Sequence, residues 1–71
     1  MREITIKTEF ITLGQLLKYA GIIGNGGEIK AFLAQNDVFI NGIQDQRRGK
    51  KVFPGDKVAV LDIILVVISE K

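Results

Sequence analysis

The chain opens on a period of two. In "REITIKT" polar and apolar residues alternate and Ile4 and Ile6 share a face, which predicts a short strand. The period then lengthens. In "TLGQLLKYAG", Leu13, Leu16, Leu17 and Ala20 recur at helical spacing; Thr12 and Gln15 have the spacing of a capping box, and Gly21 is placed to stop the helix in a left-handed conformation. The loop "IIGNGG" leads to a second helix, "GEIKAFLAQN", with Asn25 and Glu28 again at N-cap spacing. Ile29, Phe32 and Leu33 form its apolar stripe. A turn of about 100° per residue puts Gly27, Ala31 and Ala34 on a smooth far side, with Lys30 at the border between the two faces.

Beyond Asn36 the period returns to two. "DVFINGIQ" sets Val38 and Ile40 on one face and then carries Asn41-Gly42, a strong hairpin signal because both positions tolerate positive φ. Pro54-Gly55 in "FPGD" suits the centre of a type II turn, and "KVAVLD" reads as a strand with Val58 and Val60 on one face. A strand, two helices and then several short strands argue for an α+β fold. The tail departs from alternation: between Ile63 and Ile68, "IILVVI" is apolar on both faces. Two placements satisfy it. The strand lies centrally in the sheet, beside Ile4 and Ile6 with both faces covered, or it exposes a face or edge that drives dimerisation or addition to a partner's sheet.

At 71 residues the chain is expected to be one domain, 1–71, with a radius of gyration of about 11 Å. With 46% hydrophobic residues and neither cysteine nor histidine, apolar packing must hold it, because disulfides and the usual zinc ligands are missing. The lack of cysteine fits a reducing compartment, no basic segment followed by an apolar one marks a secretory signal, and the apolar run is far short of the roughly 20 residues that span a membrane. A soluble cytoplasmic protein without a membrane partner is expected.

Net charge is only +2, but five of the ten cations, Arg47, Arg48, Lys50, Lys51 and Lys57, fall within eleven positions where Asp56 alone opposes them. Such a patch needs either water or a polyanion beside it. Catalysis has no candidate residues: Ser69 is the only serine, and the acids Glu28, Asp37, Asp45, Asp56 and Asp62 show no pairing with a base or nucleophile. No cofactor or metal is expected. "GIIGNGGEIK" lacks the Gly-Lys-Ser/Thr of a phosphate-binding loop, and a helix rather than a strand precedes its glycines, so it reads as a turn and a helix cap. Its amides at Gly26 and Gly27 could still meet one backbone phosphate.

From about 12 to 58 the chain resembles the S4-type RNA-binding domain, on the strength of "LGQLLKYAGI", "GEIKAFLAQND", "VFINGIQ" and "VFPGDKV". It looks closest to small stand-alone bacterial members of the YaaA-like group, in which "ITLGQLLK", "GG" before the second helix and "RRGKK" are recognisable. The resemblance implies two short helices packed on a small, mostly antiparallel sheet. It also implies an RNA-binding face built from the helices and the basic loop: Lys30 on the second helix, Asn41 in the turn beside it, and Arg47, Arg48, Lys50 and Lys51 in the loop. Lys18, exposed opposite the Leu13 and Leu17 stripe, is a further candidate. Many appended S4 domains carry arginines where this chain has Thr12 and Gly26, which leaves two phosphate contacts to be made elsewhere.

Structured RNA is read largely through phosphates, 2'-hydroxyls and shape, which suits cations on a smooth platform. Stacking on single strands needs exposed aromatics. Phe32 belongs to a buried stripe and Phe39 and Phe53 to predicted strands, so only Tyr19 and Phe10 are expected at the surface. Asn41 is accounted for equally by its tight turn. The expectation is a non-catalytic protein that docks structured RNA, ribosomal rather than transfer RNA, in ribosome assembly. The alternative is an adaptor or homodimer that uses the apolar C-terminal strand.

Overall fold

The computed structural model describes residues 1–70. Its elements are β1 (Arg2–Ile6), β2 (Ile11–Thr12), α1 (Leu13–Tyr19), a 3-10 turn (Gly26–Glu28) running into α2 (Ile29–Gln35), β3 (Val38–Ile40), β4 (Ile43–Gln44), β5 (Lys51–Val52), β6 (Lys57–Val60) and β7 (Ile63–Ser69). Five strands form one sheet in the order β1-β7-β6-β3-β4, and β2 and β5 make a separate two-stranded ladder. Within the larger sheet only β1 and β7 run parallel. The fold is α+β as the patterning predicts, though strands take a larger share than two helices on a sheet would suggest.

Local chemistry sets the helix ends. The Gln15 N–H donates to Thr12 Oγ1 at 3.3 Å while the Thr12 N–H donates to Gln15 Oε1 at 3.2 Å, which completes the capping box. At the other end Gly21 takes φ +78°, and the Arg2 guanidinium donates to the Ala20 carbonyl at 2.8 Å, a cation placed where the helix leaves carbonyls unpaired. Asn25 caps the 3-10 turn by accepting the Gly27 N–H at 2.9 Å. Asn36 closes α2 by donating its side-chain amide to the Phe32 carbonyl.

Both helices rest on one face of the sheet. Leu13, Leu16 and Leu17 of α1 and Ile29 and Leu33 of α2 join Ile4, Ile6, Val38, Val58, Val60, Leu65 and Val67 in the core, while no polar side chain is buried among the described residues. At about 25 cal/mol per Å² of apolar surface removed from water, such burial is the main stabilising term for a chain without covalent staples. The radius of gyration is 11.0 Å. No helix among the described residues is long and apolar enough to cross a membrane.

The apolar tail combines its two predicted placements. As β7 it is central and lies beside β1, with Ile4 opposite Val67, and its inward Leu65 and Val67 are fully buried. Its other face is only partly covered among the described residues: Ile64 is 41% exposed and Val66 and Ile68 are half-buried. Phe39 and Ala59 lie in register with Ile64 and extend this apolar strip across the sheet.

The β2–β5 ladder was not anticipated. Two-residue strands are too short for periodicity to mark them, yet this pair joins the start of α1 to the end of the basic loop through Thr12 and Lys51. Two more bonds reinforce the join: the Leu13 N–H donates to the Lys50 carbonyl at 2.8 Å and the Gly14 N–H to the Arg48 carbonyl at 2.9 Å. Buried Gly14 is where α1, α2 and the loop converge, since a Cβ there would stand 2.8 Å from Ile29 Cδ1 and 3.4 Å from the Arg48 carbonyl oxygen. Valine at position 14 is therefore expected to lower the unfolding free energy by about 1–3 kcal/mol in urea denaturation, through overpacking. Alanine should cost less, because the flexible tip of Ile29 can yield to one methyl group.

Candidate nucleic-acid interface

The basic loop is held by its backbone, which leaves its side chains to project. Asp45 starts it: its N–H donates to the Val38 carbonyl and its Oδ1 accepts the Arg47 N–H at 2.8 Å, a local turn of the kind short acidic side chains favour. The Lys50 N–H returns to the Arg47 carbonyl at 3.1 Å, and α1 then takes up the Arg48 and Lys50 carbonyls.

The four loop cations are not equivalent. Arg47 folds onto Asp45, with Nε 3.1 Å from Oδ1 and Nη2 2.8 Å from Oδ2. Its own side chain is 73% exposed, but that of Asp45 is only 10% exposed beneath it. The guanidinium's hydrogen bonds bring the Asp45 pKa down from 3.8 to about 2; partial burial opposes the shift, and the Arg47 N–H and the charges of Arg47 and Lys50 add to it. The same hydrogen bond pushes the Arg47 pKa up. Part of the Arg47 charge is thus neutralised at home. The patch reading counted Asp56 as the sole opposing acid and missed Asp45, although an Asp two positions before an Arg is a visible turn signal.

Arg48 leaves the loop on the side of α2. It shares with Lys30, Leu33, Ala34 and Gln46 a groove of about 590 Å³. Ala31 and Ala34 are exposed, so the smooth outer face predicted for α2 is present and borders this groove. Arg47, Lys50 and Lys51 line a second concavity with Asn41, near the β3–β4 hairpin. The Lys51 Nζ stands 4.8 Å from the centroid of the Phe10 ring, a cation–π contact that leaves the charge at the surface.

Asn41 adopts φ 52° in its turn, and its amide is already engaged: Nδ2 donates to Asp56 Oδ1 at 3.0 Å and Oδ1 accepts the Lys57 N–H at 3.0 Å. It was expected beside Lys30 but shares the second concavity with loop cations and does not line the Lys30 groove, and these bonds make it a structural tie between the hairpin and the "PGD" turn. Lys18 lies apart from the loop, in a groove between α1 and the end of β1 with Lys7 and Tyr19. The Gly27 N–H is committed to the Asn25 cap, so a phosphate at Gly26 and Gly27 would have to displace Asn25.

One expectation about aromatics is overturned. Phe39 is 37% and Phe53 is 43% exposed, since both follow a fully buried valine in a strand and so point the other way. Alternation from Val38 and Val52 was the signal that could have found them. No group of three or more acidic, His or Cys side chains able to hold a metal ion occurs among the described residues.

Two short helices on one sheet face, with a cationic loop bonded to the first, define the class. Residues 4–68 match the S4 domain, and the chain belongs to that family. The match takes in the last three residues of β1 and all but the last residue of β7, beyond the 12–58 stretch where the motifs lie. The chain is also 49% identical over 57 residues, 80% of each protein, to a probable ribosome maturation protein, RlbA, of Bacillus subtilis (strain 168).

Removing the guanidinium gives a direct test of the Asp45 pair. In Arg47→Ala the Asp45 carboxyl, followed by NMR titration, should move from about 2 back towards 3.8. The sign follows from linkage: because the folded pKa is depressed, the pair's contribution to stability is complete above the ordinary carboxylate pKa and is lost as pH falls towards about 2.

Proposed function

We propose that this is a non-catalytic RNA-binding protein of the cytoplasm that docks structured RNA, ribosomal rather than transfer RNA, during ribosome assembly or maturation. The observation that carries the reading is the groove lined by Lys30 of α2 and Arg48 of the loop with Ala34. Cations from separate elements line it together, beside the exposed small residues Ala31 and Ala34 of α2, which suits a rigid phosphate backbone. Membership of the S4 family supports an RNA ligand, and similarity to the Bacillus ribosome maturation protein supports a ribosomal one.

Docking is electrostatic. Arg48 presents a planar fork to a phosphate, Lys30 and Lys50 act as point charges, and Lys51 extends the row past the loop. Arg47 contributes less because Asp45 competes for it. Backbone contacts of this kind position a duplex by shape without reading its sequence.

If three or four phosphates are neutralised, the log–log salt dependence of binding to an RNA hairpin should have a slope of roughly −2.7 to −3.6, using the B-DNA coefficient. Arg48→Ala and Lys30→Ala should each reduce that slope by about 1, measured by fluorescence anisotropy, while Lys18→Ala, in its separate groove, leaves it unchanged. Asp45→Asn should steepen it by about 1 by releasing Arg47. Absence of salt-dependent binding in the wild type would overturn the reading.

A second reading rests on the partly covered outer face of β7, where Ile64 and Phe39 are exposed in register with Ala59. That strip offers a surface for a protein partner or a second copy. Light scattering across a concentration series should show mass rising towards twice the monomer in the wild type, with Ile64→Lys abolishing the rise; a constant monomer mass would remove the homodimer.

A further inference from the structure

The basic groove accounts for Lys30 and Arg48 but not for the second concavity, where three cations outnumber two carboxylates around exposed apolar side chains. Ile43, 73% exposed, and Phe53, 43% exposed, both line it, with Ile40 beside them; Arg47, Lys50 and Lys51 contribute positive charge, and Asp45 and Asp56, already paired with Arg47 and with the Asn41 amide and Phe53 N–H, contribute negative charge. Exposed apolar side chains beside an excess of positive charge fit a flat uncharged ring tethered to a phosphate. The space, about 260 Å³, is below the roughly 300–1,000 Å³ of pockets that take drug-sized ligands. It is on the scale of one base.

The aromatic wall is preorganised. The Phe53 N–H donates to Asp56 Oδ2 at 2.8 Å, and the same carboxylate accepts the Asn41 side-chain amide at 3.0 Å, which ties the "FPGD" turn to the β3–β4 hairpin. Phe10, which does not line the concavity, braces the Phe53 ring from elsewhere at a centroid distance of 5.8 Å and an interplanar angle of 50°. A ring fixed in this way loses little conformational freedom when a ligand stacks on it.

We infer that this concavity receives one unpaired nucleobase stacked on Phe53, its phosphate meeting Lys50 or Lys51, so that the preferred RNA carries a bulged or overhanging nucleotide next to its duplex. The inference rests on the proposed RNA function and narrows its substrate class. Stacking on an aromatic ring tolerates any base, because each has a π face. The site therefore selects unpaired geometry and not sequence.

The test compares an uninterrupted RNA hairpin with the same hairpin carrying a single-nucleotide bulge of 2-aminopurine. Wild-type protein should bind the bulged RNA about five- to a hundredfold more tightly and quench the probe on binding. Phe53→Leu, which keeps apolar bulk without a π face, should lose the preference and the quenching, yet keep the affinity and salt slope measured on the uninterrupted hairpin. Phe53→Tyr should keep both. Equal affinity of the wild type for the two RNAs without quenching overturns the inference and leaves the RNA-binding function standing; failure to bind either RNA overturns both. Quenching that persists in a folded Phe53→Leu, with its urea midpoint preserved, would also overturn the role of Phe53.

Discussion

Two backbone hydrogen bonds, from the Leu13 and Gly14 amides to the Lys50 and Arg48 carbonyls, organise the functional half of the molecule. The first amides of a helix lack partners within it, and a cationic loop would otherwise be held away from neighbouring structure by solvation and mutual repulsion. Joining them satisfies both: the helix end gains acceptors, and the loop's side chains project outward because its carbonyls face inward. The bonds require close approach, which is why position 14 carries no side chain. Removing Cβ there also lets Ile29 reach α1, so a single glycine sets the loop's distance from both helices. The groove shared by Lys30 and Arg48 is a product of that spacing.

The charge pattern that draws attention in the sequence is more selective in three dimensions. Four cations within five adjacent positions diverge into separate environments: Arg48 towards α2, Arg47 onto Asp45, Lys50 half-buried near the hairpin, and Lys51 over an aromatic ring. A run of like charge therefore becomes two differently shaped surfaces. One is smooth and suited to a rigid polyanion; the other presents exposed apolar side chains and suits an irregular feature.

What could be read in advance was whatever a few neighbouring residues decide. The Thr12–Gln15 box, Gly21 at positive φ, the Asn41-Gly42 hairpin and the period-two burial of Val38, Ile40, Val58 and Val60 depend on local sterics, and each is found where the pattern places it. The cations of the candidate site were equally visible as charges, but their pairing was not, since Lys30 and Arg48 meet only through the fold. The β2–β5 ladder left no periodic trace, and the outer face of β7 showed why an unbroken apolar run is ambiguous: a central strand can be fully covered on one side only. The missed aromatics are a different case, because the inward valines before Phe39 and Phe53 already implied which way they turn.

The parallel pairing of β1 with β7 has a consequence for the order of events during synthesis. Every other strand of the larger sheet has a neighbour close by in the chain, and the helices and basic loop that make up the candidate site lie between the two paired strands. β1 is the first of these elements to leave the ribosome, but its strand partner among the described residues is the last. Long-range pairing of this kind is slow, because the loop-closure entropy is lost before the contacts are made. The exposed edge of β1 must therefore wait, unpaired, until residues 63–69 have cleared the exit tunnel.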